Sequence, residues 1–152
     1  MSAPVLVFAW GNRSRGDDAL GPLFAERLRT QAAASPAQVA FLEDYQLQIE
    51  HALDLDGRER VLFVDASAAG TAPFEAGTVQ ARRDASFSSH AVSPQALLQV
   101  YREVHRAEPP PCWLLAIRGE RFGLGDPLSP AAARHLDLAL AWGRDWIARG
   151  AA

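Results

Sequence analysis

The chain has 152 residues, of which 49% are hydrophobic and 22% are charged, the size and balance of a globular domain with a proper core. Its formal net charge of −3 argues against nucleic acid or an anionic membrane as the main partner, because both select surfaces dense in Lys and Arg. The single cysteine, Cys112, excludes an intramolecular disulfide and a cysteine-rich zinc site.

The amino-terminal residues carry no basic stretch, and the first apolar run, Val5–Trp10, is too short for a signal sequence or a membrane span. We therefore expect a cytoplasmic protein in which residues 1–152 form a single domain.

The apolar pattern of the first third predicts a strand and then a helix. The run from Val5 to Trp10 is continuous, as in strands buried on both faces. Leu20, Phe24 and Leu28 follow at helical spacing, with Pro22 in the first turn of that helix.

The middle of the chain is expected to contain, in order, a strand, a helix and two further strands: 38–42, 46–55, 61–64 and 78–81. Ile49 and Leu53 are expected on one face of the helix, and the third strand of the chain is expected to end at Asp65.

Two Ser-Pro steps predict helix starts, with serine as the N-cap and proline at the first helical position. The first begins at Ser93 and ends before the prolines 109–111, and the second begins at Ser129. The last apolar run, Cys112–Ile117, lies between them as a buried strand. The final helix carries one apolar stripe: Ala132, Leu136, Leu140, Gly143 and Ile147.

Strands thus alternate with helices, and strands that are apolar on both faces need helices on both sides of the sheet. The predicted fold class is α/β, a three-layer α/β/α sandwich with a largely parallel central sheet of about five strands.

The candidate site lies beyond the carboxyl ends of the strands, where open α/β sheets bind their ligands. Asp17 and Asp18 follow the first strand, Asp65 follows the third, and His90 precedes the helix at Ser93. Either aspartate of the first loop can be a helix cap, and a lone histidine is more often structural. Taken together, two carboxylates and an imidazole form an O/O/N ligand set that suits nickel or zinc.

The first loop also carries a motif. Gly11-Asn12, Gly16-Asp17-Asp18 and Gly21 together resemble the amino-terminal signature of the hydrogenase maturation proteases. The segments that contain Asp65 and His90 follow in that family's order, as does the segment 123–130 that leads into the last helix. The resemblance covers nearly the whole chain.

The resemblance implies an endopeptidase that removes the C-terminal extension of a nickel-loaded [NiFe]-hydrogenase large-subunit precursor. It implies Asp18, Asp65 and His90 as the catalytic and metal-binding residues. The nickel is carried by the precursor, which is the expected partner, and no organic cofactor is expected. The alternative is a non-catalytic metal- or nucleotide-binding α/β domain that acts as an assembly chaperone.

Two positions depart from the family pattern. The family often has glutamate where this chain has Asp18, a shorter but chemically similar residue. After Asp44 the family commonly has Gly-Gly-Thr, whereas this chain has Tyr45-Gln46. We expect that loop to take part in substrate discrimination.

Other assignments are weaker. The sequence has no Gly-x-Ser-x-Gly elbow, and His51 lacks the His-Glu-x-x-His spacing of a zinc protease. Cys112 is expected to be an inert core thiol. His105 and His135 are expected to face solvent from their helices.

Two groups of residues are expected to be structural. The mixed-charge cluster 58–60 is interpreted as a solvated face. The four tryptophans are expected to pack the core: Trp10, Trp113, Trp142 and Trp146.

Overall fold

The apolar runs of the sequence form one five-stranded sheet in the computed structural model, which describes residues 2–32, 35, 37–83 and 92–149. The strand order is β2-β1-β3-β5-β4. The strands are β1 (Val5–Trp10), β2 (Val39–Asp44), β3 (Arg60–Ser67), β4 (Phe74–Val79) and β5 (Cys112–Arg118). Neighbouring strands are parallel except β4, which runs antiparallel to β5.

Helices cover both faces of this sheet. The helices are α1 (Leu20–Gln31), α2 (Pro94–His105) and α3 (Pro130–Ala148), with 3-10 helices at Gly16–Ala19 and Ile49–Leu55. One core cluster joins α1 and α3 to the sheet, and the other joins α2 and the second 3-10 helix to its opposite face. The prediction of a three-layer α/β/α sandwich with a largely parallel sheet is confirmed.

Both Ser-Pro helix starts are confirmed. The Ser93 hydroxyl accepts a hydrogen bond from the Ala96 backbone N–H at 3.1 Å, and Ser129 does the same for Ala132 at 3.1 Å. Each serine satisfies a backbone donor that the first helical turn leaves free.

The helix predicted over 46–55 is a shorter 3-10 helix, in which Ile49 and Leu53 do not share one face as expected. The 3-10 helix Ile49–Leu55 buries Ala52 and Leu55, whereas Ile49 and Leu53 are 42% and 67% exposed. A 3-10 helix has three residues per turn, so positions three apart share a face. The four-residue spacing of Ile49 and Leu53 belongs to an α-helix.

The predicted bounds of two strands are also corrected. β3 does not end at Asp65 but continues through Ser67, because β5 pairs with it up to Arg118. The strand predicted over 78–81 lies earlier, over Phe74–Val79, where it pairs with β5 as an antiparallel edge strand. Asp65 therefore lies within a paired strand and not in a loop.

Arg60 is the clearest contradiction of the predicted solvated cluster, because it is buried. Its guanidinium donates hydrogen bonds to the carbonyls of Trp146 at 2.7 Å and Ile147 at 3.1 Å. It also lies 4.1 Å from the centroid of the Trp146 ring. Arg60 thus joins the start of β3 to the end of α3, where helix carbonyls need donors.

The two helix histidines do not face solvent as expected, since both are half-buried. The His105 ring stacks on Tyr101 with 4.2 Å between centroids. The His135 Nδ1–H donates to the Arg118 carbonyl at 2.8 Å.

The helices in the described part of the chain include none that combines the length and apolar character needed to cross a membrane.

Candidate functional site

The carboxyl ends of β1 and β3 form the rim on which two of the predicted site residues, Asp18 and Asp65, meet. α1 begins directly behind this rim, and Gly21 permits that approach. A Cβ added at Gly21 would lie 2.5 Å from the Trp10 carbonyl oxygen and 3.1 Å from that of Val64. The glycine therefore lets the first helical turn contact both strands closely.

The loop after β1 wraps back onto Asp18. Gly11 has φ of 150°, and a Cβ there would lie 2.0 Å from the Asp18 carbonyl oxygen, so only glycine fits. The Asn12 backbone N–H donates to Asp18 Oδ2 at 2.7 Å. Asp18 itself lies in the 3-10 helix Gly16–Ala19 and is half-buried. One carboxylate oxygen of Asp18 is thus held by the loop.

Asp65 is the second carboxylate of the rim, and its pKa is raised to about 6, mainly by burial. The negative charge of Asp18 contributes to this rise, whereas hydrogen bonds from the Ala66 backbone and the Trp10 side chain oppose it. The Ala66 N–H donates to Asp65 Oδ1 at 2.8 Å. Asp18 and Asp65 are therefore close enough for their charges to interact in a partly desolvated setting.

Trp10 has a role that the sequence analysis did not identify. All four tryptophans are buried or packed against the core, as predicted. The Trp10 side chain additionally donates a hydrogen bond to Asp65, and its indole N–H is its only donor. The role could have been suspected from its position, because Trp10 is the last residue of β1 and the neighbouring parallel strand β3 carries Asp65.

Asp17 has a structural role, because both of its carboxylate oxygens accept hydrogen bonds from within the protein. Its side chain is fully buried and accepts hydrogen bonds from Ser129 N and Oγ at 2.7 Å each, Glu120 N at 2.7 Å and Arg121 N at 3.0 Å. Burial alone would raise the pKa of Asp17, but these hydrogen bonds outweigh it and lower the pKa. Asp17 thereby fixes the 3-10 helix that carries Asp18.

A second unpredicted pair lies on the same rim, at the end of β2. His51 Nε2 lies 3.0 Å from Asp44 Oδ2, and His51 Nδ1 accepts the Gln48 N–H at 2.8 Å. Since Nδ1 accepts, the proton is on Nε2 and points to Asp44. Both ring nitrogens are occupied, so His51 holds the loop after β2 in place.

His90, the third predicted site residue, lies outside the described residues. Within the described ranges, no three His, Cys, Asp or Glu side chains are grouped so as to hold a metal ion. The structure thus brings two of the predicted residues together, Asp18 and Asp65, and the place of His90 beside them stays a prediction.

Cys112 matches the expectation of an inert core thiol. The side chain is buried, its Sγ–H donates to the Pro110 carbonyl at 3.2 Å, and burial raises its pKa to about 12. A thiol with such a pKa holds almost no thiolate at neutral pH.

The sequence matches no protein-family model and no curated protein. The structure is similar to the [NiFe]-hydrogenase maturation protease HycI from Thermococcus kodakarensis, with a TM-score of 0.72 and 19% identity over 95% of this chain and 92% of that one. It is similar to the hydrogenase maturating endopeptidase HybD from Escherichia coli, with a TM-score of 0.71 and 20% identity over 91% and 88% of the two chains.

A hydrogenase 2 maturation peptidase from a Thaumarchaeota archaeon has a TM-score of 0.68 and 21% identity, over 95% of this chain and 97% of that one. The resemblance seen in the sequence is thus confirmed at the level of the fold: the chain has the α/β fold of the hydrogenase maturation proteases.

Proposed function

We propose that this protein is an endopeptidase that removes the C-terminal extension of a nickel-loaded [NiFe]-hydrogenase large-subunit precursor. In this proposal residues 1–152 act as one domain in the cytoplasm. Asp18, Asp65 and His90 are the residues that meet the nickel ion carried by the precursor.

The observation that carries the proposal is the pair of carboxylates at the rim. The Asp65 carboxylate is partly desolvated and lies near the charge of Asp18, and its pKa is raised to about 6. Two neighbouring carboxylates that repel each other are stabilised by a divalent cation between them. Carboxylate oxygens with one imidazole nitrogen suit a borderline ion such as nickel. The fold shared with maturation proteases supports the same assignment.

The reaction needs no nucleophilic side chain in this scheme. The precursor's metal ion polarises the scissile carbonyl and activates the attacking water. The task of the protein is to orient that ion against the peptide bond, through Asp18 and Asp65, with Asn12 and Trp10 holding the carboxylates in place. Since the ion arrives with the substrate, only a precursor that already contains nickel is cleaved.

The test is incubation of the protein with nickel-loaded and nickel-free forms of a large-subunit precursor, followed by gel electrophoresis and mass spectrometry of the products. We expect shortening of the loaded form alone. Asp18→Asn, Asp65→Asn and His90→Ala should each lower the rate by about tenfold to a hundredfold or more, because ligand loss disturbs both charge and geometry.

The matched controls are Asp18→Glu, which keeps the carboxylate and should keep substantial activity, and Asp137→Asn, which removes an exposed aspartate of α3. Wild-type cleavage of the nickel-free form would refute the metal-directed scheme. Binding of the loaded precursor without any shortening would favour the assembly chaperone instead.

A further inference from the structure

The outer edge of β2 has backbone groups that the sheet does not use. In this parallel pair the Gly11 N–H donates to the Asp44 carbonyl and the Val5 N–H to the Gln38 carbonyl, each at 3.1 Å. Alternate residues of a parallel strand bond to opposite neighbours. The N–H and C=O groups of Phe41 and Glu43 therefore point away from the sheet, where no described residue pairs with them.

Two cavities follow this edge end to end. The first, of about 240 Å³, lies between α1 and β2, and the second, of about 270 Å³, lies between the loops after β1 and β2. Both are lined by Arg13 and Glu43. The Arg13 guanidinium donates to both carboxylate oxygens of Glu43, at 2.9 and 2.7 Å. This ion pair lies between the two cavities, so each cavity can act as a separate pocket for a side chain.

The two cavities together form a groove along β2, and this groove leads directly to the candidate site. The second cavity is lined by Gly11 and Asn12, and the Asn12 N–H is the group that holds Asp18. The other sheet edge is farther from the candidate site, because β5 separates β4 from the strand that carries Asp65.

We propose that the β2 edge binds an extended segment of the protein substrate, next to the scissile bond, as an additional strand of the sheet. The proposal rests on the proposed function and adds the mode by which the substrate is held. Phe41 and Glu43 supply the main-chain hydrogen bonds, and alternate substrate side chains enter the cavities on either side of the Arg13–Glu43 pair. At about 3.3 Å per residue, the edge from Phe41 to the end of β2 at Asp44 accommodates about four substrate residues.

The decisive variant is Glu43→Pro, because proline removes the outward N–H and fills its place with the ring, while edge strands tolerate proline. The control is Glu43→Ala, which loses the same ion pair with Arg13 but keeps the N–H. With the nickel-loaded precursor, we expect Glu43→Pro to raise KM by roughly tenfold relative to Glu43→Ala, as for one or two lost hydrogen bonds. The kcat should stay within about twofold, since Asp18 and Asp65 are untouched.

Equal KM values for the two variants, with both folded by circular dichroism, would overturn the edge-strand proposal. If Glu43→Pro does not fold, synthetic peptides of the precursor's cleavage region replace it as competitors of wild-type cleavage. Methylation of alternate backbone nitrogens should abolish competition for one alternating set and spare the other. Equal competition by both sets would equally refute the proposal. Failure of the wild-type protein to shorten the precursor would instead count against the proposed function.

Discussion

Replacement of Asp65 by asparagine should stabilise the protein at neutral pH while slowing the proposed cleavage reaction. The folded state raises the pKa of Asp65 from 3.8 to about 6, mainly by burial and then by the charge of Asp18. Each step of one in pKa corresponds to about 1.36 kcal/mol. Ionised Asp65 therefore costs the folded state at most about 3 kcal/mol at pH 7. Asparagine has nearly the same shape, carries no charge, and keeps an oxygen that can accept from Ala66 or Trp10.

The sign of the pH dependence follows from the raised pKa. The folded state holds the Asp65 proton more tightly than the unfolded state, so stability falls as the pH rises from 3.8 to about 6. The advantage of Asp65→Asn should therefore be full above pH 6 and vanish below pH 3.8. After allowance for the hydration that the buried amide loses, we expect about 2 kcal/mol at pH 7.5, or roughly 4–8 °C in Tm for a chain of this size.

The assay is thermal and urea unfolding of both proteins at pH 7.5 and at pH 3.5, followed by circular dichroism. Asp137→Asn, at an exposed position of α3, is the matched control and should change stability by less than about 0.5 kcal/mol. A loss of stability in Asp65→Asn at pH 7.5, or a gain that is the same at both pH values, would refute the reasoning, because neither is compatible with a buried charge.

Three further outcomes are expected. Asp17→Asn should lower the free energy of unfolding at pH 7 by about 2–4 kcal/mol, because a buried charged acceptor loses several hydrogen bonds. Since the pKa of Asp17 is lowered, this difference should shrink in urea titrations as the pH falls below 3.8; a constant difference would contradict it. Arg60→Lys should cost about 1–3 kcal/mol in the same titrations, because lysine cannot donate the forked pair of hydrogen bonds or stack on Trp146. Cys112 should resist iodoacetamide at pH 8 in the folded protein, as judged by intact mass, and Cys112→Ala should process the precursor normally; rapid alkylation would show that the thiol is not buried as described.

Local sequence patterns were sufficient for most of the fold. The apolar run of β1 predicts a strand covered on both sides, and the Ser93 and Ser129 caps predict two helix starts within one residue. In each case the determining interaction lies within a few residues of the chain. The meeting of Asp18 and Asp65 at one rim also follows from topology, because parallel neighbouring strands end on the same side of a sheet.

Features that depend on distant partners could not be predicted in this way. Arg60 lies in a charged triplet, and only the carbonyls of α3, more than eighty residues later, explain its burial. β4 lies earlier than predicted because its bounds are set by pairing with β5. Trp10 and Asp65 are separated in the chain by α1, β2 and the 3-10 helix Ile49–Leu55, so their hydrogen bond has no signal in the local sequence.

Asp17 also determines when the candidate site can form during synthesis of the chain. The backbone donors that surround its carboxylate belong to residues 103, 104 and 112 positions later. A ribosome must therefore make the chain as far as Ser129 before the first turn beside β1 can take its final shape. Nascent chains that end before Ser129 should be open to protease attack at Arg15, and longer chains should be protected. The rim that carries Asp18 would therefore reach its final shape only after the start of α3 has been made.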